Sequence, residues 1–120
     1  MKTVVVIDDE FGLAEAITAL LEDEGYRAVM ATNGRQGLEL VAEHAPDLVL
    51  LDFMMPLMGG PEVLAALRAR DPRLPPVIVM SAAARDEVRA ACPGAARYLT
   101  KPFSGGALLE AVRAVLGPPG

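Results

Sequence analysis

The stretch Val49-Leu50-Leu51-Asp52-Phe53-Met54-Met55-Pro56 decides how this chain is read. An apolar run of strand length ends in a single carboxylate, and a proline follows four residues after it. Such a run, stopped by a turn, is a strand buried on both faces, which belongs inside a parallel sheet. Asp52 then sits at the strand's carboxyl end, the edge at which open α/β sheets bind ligands. A lone Asp there is ordinarily a turn or capping residue, so its meaning depends on what the rest of the chain sends to the same edge.

Toward the N-terminus, residues 3–7 are β-branched and apolar and are closed by Asp8-Asp9-Glu10, a central strand with an acidic end. Phe11, Ala14, Ile17, Leu20 and Leu21 recur at helical spacing through residues 11–24, and Gly25 fits the position past the helix end. Residues 27–31 form a short strand. Thr32-Asn33-Gly34 is a turn with a helix N-cap candidate, and Leu38, Val41 and Ala42 line one face of a helix that ends before Pro46. The central strand is expected at 48–51. Toward the C-terminus, 53–60 is a loop and Pro61 suits the first position of a helix whose buried side carries Val63, Leu64 and Leu67. Asp71-Pro72 stops that helix. Residues 76–80 form a fourth strand ending at Ser81, 82–91 a helix ended by Pro93-Gly94, and 96–99 a fifth strand. After Thr100-Lys101-Pro102-Phe103, Ser104 caps a last helix with Leu108, Leu109, Val112, Val115 and Leu116 apolar. Five strands alternating with five helices predict one doubly wound α/β domain with a parallel sheet, helices on both faces and right-handed crossovers. The domain is expected over 1–117, with 118–120 a tail or linker stub.

Composition narrows the function. The 120 residues, 52% apolar, suffice for one core. A net charge of −5 argues against coating nucleic acid. Eleven of the sixteen acidic residues lie between Met1 and Asp52, against three basic ones, and most belong to solvated helix faces. Cys92 is the one cysteine, so an internal disulfide is excluded. The N-terminus lacks the pattern of a signal peptide, and no apolar run approaches the roughly 18 residues of a membrane span. A cytoplasmic protein is expected.

Strand ends supply the chemistry. The first strand offers Asp8 and Asp9, the third Asp52, the fourth Ser81, and the fifth leads to Lys101. In a parallel sheet these ends share one edge, so separate segments deliver three carboxylates, a hydroxyl and an ammonium to one neighbourhood. Clustered carboxylates repel one another and raise a pKa unless a cation sits among them. Hard oxygen ligands suit Mg²⁺, whose remaining coordination positions suit phosphoryl oxygens. Lys101 supplies a point charge for a phosphoryl group and Ser81 a hydrogen bond. The set reads as a phosphoryl-transfer site with Asp52 as nucleophile, forming an aspartyl-phosphate.

These residues resemble the receiver domain of bacterial two-component response regulators, of the chemotaxis-regulator kind. The matching motifs are Ile7-Asp8-Asp9, Leu50-Leu51-Asp52-Phe53-Met54-Met55-Pro56 with Gly59-Gly60, Met80-Ser81-Ala82, and Tyr98-Leu99-Thr100-Lys101-Pro102-Phe103, in order over essentially the whole chain. The resemblance implies a flavodoxin-like (βα)5 fold with strand order 2-1-3-4-5. It implies that Asp52 accepts a phosphoryl group from the phosphohistidine of a sensor histidine kinase or histidine phosphotransfer protein. Asp9, Asp52 and the Met54 carbonyl would ligate Mg²⁺, with Mn²⁺ a possible substitute and Asp8 acting through a water. Lys101 would hold a phosphoryl oxygen, Ser81 would move to bond the phosphoryl group, Tyr98 would turn inward behind it, and the Lys101-Pro102 bond would be cis. The fourth helix, fifth strand and fifth helix would carry the change to a downstream output domain or target protein. Such a chain is not an enzyme beyond self-catalysed phosphotransfer and slow autodephosphorylation, and itself contacts neither nucleic acid nor membrane.

Some features depart from that pattern. Ser81 and Lys101 are about two residues closer than expected, and Cys92-Pro93-Gly94 falls where the fourth helix would finish, so that helix is expected to be short, displaced or mobile. Met54 and Ala83, two residues past Asp52 and Ser81, cannot position an attacking water, which predicts slow dephosphorylation. The six methionines read as core and loop filler, His44 as a helix-end residue, and Gly105-Gly106 as a flexible helix start. A flavin or nucleotide domain would want a phosphate-cradling loop after the first strand, where Asp8-Asp9-Glu10 has the opposite charge. An aspartyl-phosphate phosphatase would want a second acid two residues after its nucleophile, where Met54 stands. A phosphorylation-independent interaction domain would leave the acceptor set without purpose.

Overall fold

The computed structural model describes residues 1–70 and 73–119. Asp71 and Pro72, the expected helix stop, lie outside the described residues, as does Gly120 of the expected tail. Strands β1 (Thr3–Ile7), β2 (Arg27–Ala31), β3 (Leu48–Asp52), β4 (Val77–Ser81) and β5 (Arg97–Thr100) alternate with helices α1 (Phe11–Asp23), α2 (Gly34–His44), α3 (Gly60–Arg70), α4 (Arg85–Ala91) and α5 (Gly105–Leu116). The strands form one parallel sheet in the order β2-β1-β3-β4-β5. Its register pairs Ile7 with Leu51, Asp52 with Met80 and Ser81 with Thr100, which brings the carboxyl ends level.

Strand alternation explains the two cores. Val4, Val6, Leu48, Leu50, Ile78 and Met80 pack with Ala14, Ile17 and Leu21 of α1 and Leu108, Ala111 and Val112 of α5. Val5, Ile7, Val49, Leu51, Val77 and Val79 face the other way, with Leu38 of α2, Val63, Leu64 and Leu67 of α3 and Val88 of α4. Every residue of β3 and β4 is buried, as continuous apolar runs require in a sheet covered on both sides.

The expected caps are present: the Asn33 side chain accepts from the Gln36 amide at 2.8 Å and Ser104 from the Ala107 amide at 3.0 Å. Several bounds differ. β3 extends to Asp52, β4 and β5 each run one residue further along the chain than expected, and α3 begins at Gly60, one residue before Pro61. α4 starts at Arg85 rather than at residue 82, because Ser81 Oγ accepts the Ala83 amide at 2.9 Å and holds that segment as a turn. α4 is short, at seven residues. Phe11 is 58% exposed although it lies on the apolar stripe of α1, since the helix begins beyond Ile7, where the sheet has ended. Ala42 is exposed and Val41 half-buried, so the buried face of α2 is Gly34, Gly37 and Leu38. Pro119 folds back, its carbonyl accepting from the Lys2 amide at 3.3 Å.

Gly60 ties the fold to the sheet edge. A β-carbon there would sit 2.9 Å from both the Asp52 carbonyl oxygen and Phe53 Cα, so the start of α3 can approach the end of β3 only without a side chain. Gly12, in the first turn of α1, has nothing within 4 Å of its β-carbon position. Gly60→Ala should therefore destabilise by about 1–3 kcal/mol, whereas Gly12→Ala should stabilise by a few tenths to about 1 kcal/mol. Urea unfolding of the two variants beside the parent protein measures both signs.

Candidate functional site

Asp8 and Asp9 follow β1, Asp52 ends β3, Ser81 ends β4 and Lys101 follows β5. The parallel register turns this list into one place. One carboxylate oxygen from each of Asp8, Asp9 and Asp52 lies within 4.8 Å of the others. The Lys101 ammonium donates to Asp8 Oδ2 at 2.9 Å and to Asp52 Oδ1 at 3.3 Å. Asp8 is fully buried, Asp52 and Ser81 are each 4% exposed, and Asp9 is exposed. The second oxygen of Asp8 accepts the Glu10 amide at 2.9 Å. Lys101 is set by its backbone, whose N–H donates to the Ser81 carbonyl at 2.8 Å and whose bond to Pro102 is cis.

Ser81 lines a small hollow with Val79, Val88 and Tyr98, whereas Asp8, Asp9, Asp52 and Lys101 line a neighbouring cleft of about 490 Å³ with Met54, Ala82 and Ala83. Met54 stands at its mouth, 68% exposed. Glu10 and Glu87 line it too. The sequence signal for Glu10 was its place as third acid after β1, whereas the orientation of α4 that admits Glu87 is tertiary. Tyr98 is elsewhere. Its hydroxyl donates to the Cys92 carbonyl at 2.7 Å and accepts the Ala95 amide at 3.3 Å. His44 ends α2 beside Glu43, and Gly105-Gly106 open α5. A larger hollow of about 660 Å³, lined by Leu38, Leu67, Arg70 and Pro76, lies at the amino ends of the strands and contains none of the predicted groups.

Five carboxylates against one ammonium leave the cleft under-neutralised. Burial first, then the charge of Asp8 and a hydrogen bond with Asp9, push the Asp52 carboxyl up to about 7 against the opposing pull of Lys101. Burial works against the charge of Lys101, but its hydrogen bond to Asp8 and the Asp52 charge outweigh that and hold its pKa above the ordinary range. Chemically, the arrangement offers oxygen ligands to a hard cation and a nucleophilic carboxylate beside a fixed positive charge.

The sign of the pH dependence follows. An acid with its folded pKa raised to about 7 from 3.8 binds more protons folded than unfolded between those values. Its contribution is therefore neutral below about pH 4, turns unfavourable as pH rises, and is fully unfavourable above about pH 7. In metal-free buffer, Asp52→Asn should leave stability nearly unchanged at pH 4.5 and raise it at pH 8, by on the order of 2 kcal/mol. Thermal unfolding of both proteins across that window checks the crossover.

Known proteins agree with this geometry. The profile described as "Response regulator receiver domain" matches residues 4–113. The chain is 41% identical over 118 residues to the transcriptional regulatory protein KdpE of Mycobacterium tuberculosis, covering 97% of this chain and 51% of that protein. It is 42% identical over 111 residues to the transcriptional regulatory protein DltR of Streptococcus agalactiae, covering 91% and 49%. It thus spans about half the length of these relatives. Among solved structures, chemotaxis protein CheY4 of Vibrio cholerae matches with a TM-score of 0.88 at 28% identity, over 97% of this chain and 99% of that one. With the strand order, the carboxyl-edge acids and a profile match spanning nearly every element, the chain belongs to the response regulator receiver domain family of two-component signalling.

Proposed function

We propose that Asp52 is the phosphoacceptor of this receiver and that the phosphoryl group comes from the phosphohistidine of a sensor histidine kinase or histidine phosphotransfer protein. The observation that carries this reading is the Lys101 ammonium held between Asp8 and Asp52, at 2.9 and 3.3 Å, in a cleft where Asp9 joins them. An Asp52 carboxylate oxygen attacks phosphorus, the P–N bond to the donor imidazole breaks as the P–O bond forms, and the imidazole takes up a proton. Lys101 holds a phosphoryl oxygen. Ser81 Oγ accepts from the Ala83 amide, which leaves its hydroxyl proton to be donated to another.

The donor set fits a divalent cation of the Mg²⁺ kind, with Mn²⁺ able to stand in. Its oxygens are hard, they converge within 4.8 Å, and the charge of Asp8 adds to burial in raising Asp52. Asp9, Asp52 and the Met54 carbonyl would hold the ion, with Asp8 acting through a water. When bound, the ion neutralises charge on the carboxylates and on the phosphoryl oxygens.

Phosphorylation adds about −1.5 to −2 charges and new acceptors, which favour the state in which Ser81 and Lys101 close on the group. Moving a population from mostly off to mostly on takes about 5.5 kcal/mol, and a few charge-assisted hydrogen bonds at about 1.5–3 kcal/mol each supply that. In this reading Tyr98 turns toward Ser81, and α4, β5 and α5 present the change to an output domain or target protein. The chain acts in the cytoplasm as a switch rather than an enzyme, with no direct contact to nucleic acid or membrane.

Incubation with acetyl phosphate and Mg²⁺ should raise the intact mass by one phosphoryl unit. Asp52→Asn or excess EDTA should abolish that rise, and Lys101→Met should reduce it at least tenfold, a loss of about 1.4 kcal/mol or more in transition-state binding. No labelling of the parent protein would leave an inert interaction domain as the better account. Return to the free carboxylate needs water to reach phosphorus, and apolar Met54 and Ala83 place no hydrogen-bonding group for it. Loss of label should accelerate in Met54→Asn, by about tenfold if one well-placed hydrogen bond forms. A slower loss in the variant refutes the role given to Met54.

A further inference from the structure

Cys92-Pro93-Gly94 departs from the receiver pattern, and the chemistry above leaves it unused. α4 ends at Ala91, and the chain returns to β5 through a turn in which Gly94 takes φ +80°. Side chains from two different elements close on that turn. From β5, the Tyr98 hydroxyl donates to the Cys92 carbonyl at 2.7 Å and accepts the Ala95 amide at 3.3 Å, while the Arg89 guanidinium lies 5.3 Å from the ring centre. From α3, the Arg68 guanidinium donates to the Pro93 carbonyl. A β-carbon on Gly94 would sit 2.8 Å from Arg68 Nη2, the movable end of an exposed side chain.

We propose that Arg68 and Tyr98 form a clasp on the turn at 92–95 that opposes phosphorylation of Asp52, with Arg68 a positioning residue for the switch although it lies on α3. The proposal rests on the phosphoacceptor reading, in which Tyr98 turns toward Ser81. The Tyr98 hydroxyl cannot keep the Cys92 carbonyl and make that move. The hollow beside Ser81, bounded by Val79, Val88 and Tyr98, is about 10 Å³, room for one water at most. A ring enters only if α4 and its closing turn give way, and Arg68 holds that turn from α3 through the Pro93 carbonyl. By linkage, whatever stabilises the clasped state weakens the phosphorylated one to the same degree.

The test uses the whole chain. Arg68→Met keeps the aliphatic stem and removes the donor; Arg68→Lys restores one. Two quantities are followed: hydrogen exchange in peptides spanning 92–98, and the initial rate of labelling by acetyl phosphate with Mg²⁺. Arg68→Met should speed exchange and raise labelling by about fivefold, the weight of one hydrogen bond, with Arg68→Lys in between. Tyr98→Phe should act in the same direction, and the double variant should fall short of the product of the two single effects because both act on one turn. The thermal midpoint should fall by only a few degrees, since a fivefold weakening of one contact in the folded state is about 1 kcal/mol. Faster exchange with unchanged labelling would overturn the coupling, and unchanged exchange would overturn the clasp itself. Failure of the parent protein to label sinks the phosphoacceptor reading and the coupling together, whereas the exchange arm still reports on the contact, so the two failures look different.

Discussion

One ammonium compensating two buried carboxylates is the constraint from which the rest of this structure follows. Asp8 and Asp52 lie out of solvent, and the Lys101 side chain that reaches both is itself largely covered. Burying such charges is unfavourable unless the partners meet in good geometry, and deleting the one ammonium, which would leave both carboxylates uncompensated, costs about 3–5 kcal/mol. The meeting demands that β1 and β3 be neighbours and that β5 dock beside β4 in register, so that Lys101 arrives one step past the Ser81–Thr100 pair. The apolar runs build the sheet. The charge triad selects a register that leaves no acid stranded.

The compensation is incomplete, and that is what makes the edge a site rather than a salt bridge. A third carboxylate, Asp9, shares the cleft, and Asp52 is held in a state where its proton and its charge are nearly balanced near neutral pH. In the proposed reading, it is this poise that lets Asp52 respond to an entering cation or phosphoryl group. The stability given up at the carboxyl edge is carried by the fully buried strands β3 and β4 beneath it.

For the proposed switch, the hydrogen bonds trace a path outward. Ser81 is linked to the start of α4 through the Ala83 amide, and Tyr98 to its end through the Cys92 carbonyl. A seven-residue helix held at both ends by side chains, with Val88 as its one buried residue, has little packing of its own to resist displacement. On the other face, α1 and α5 are each anchored by three buried residues, Ala14, Ile17 and Leu21 on α1 and Leu108, Ala111 and Val112 on α5.

Much of this was written into the chain. Alternating apolar runs at 3–7, 48–51 and 76–80 and helical stripes between them are local, periodic signals, so the α/β class and the sharing of one edge by Asp8, Asp9, Asp52, Ser81 and Lys101 were legible before any coordinates. So were the Asn33 and Ser104 caps, because a capping hydrogen bond spans only three residues. What depended on packing was not. Phe11 is exposed because the sheet stops short of it, α4 begins late because Ser81 captures the Ala83 amide, and Glu87 enters the cleft only through the way α4 lies. Tyr98 found its partner across a turn that sequence spacing marks as irregular but cannot shape. Periodicity and charge determined which residues would share an edge, since both act over a few neighbours along the chain. Distances, burial and the hydroxyl's partner were settled by tertiary structure, since they depend on surfaces that do not exist until distant segments meet.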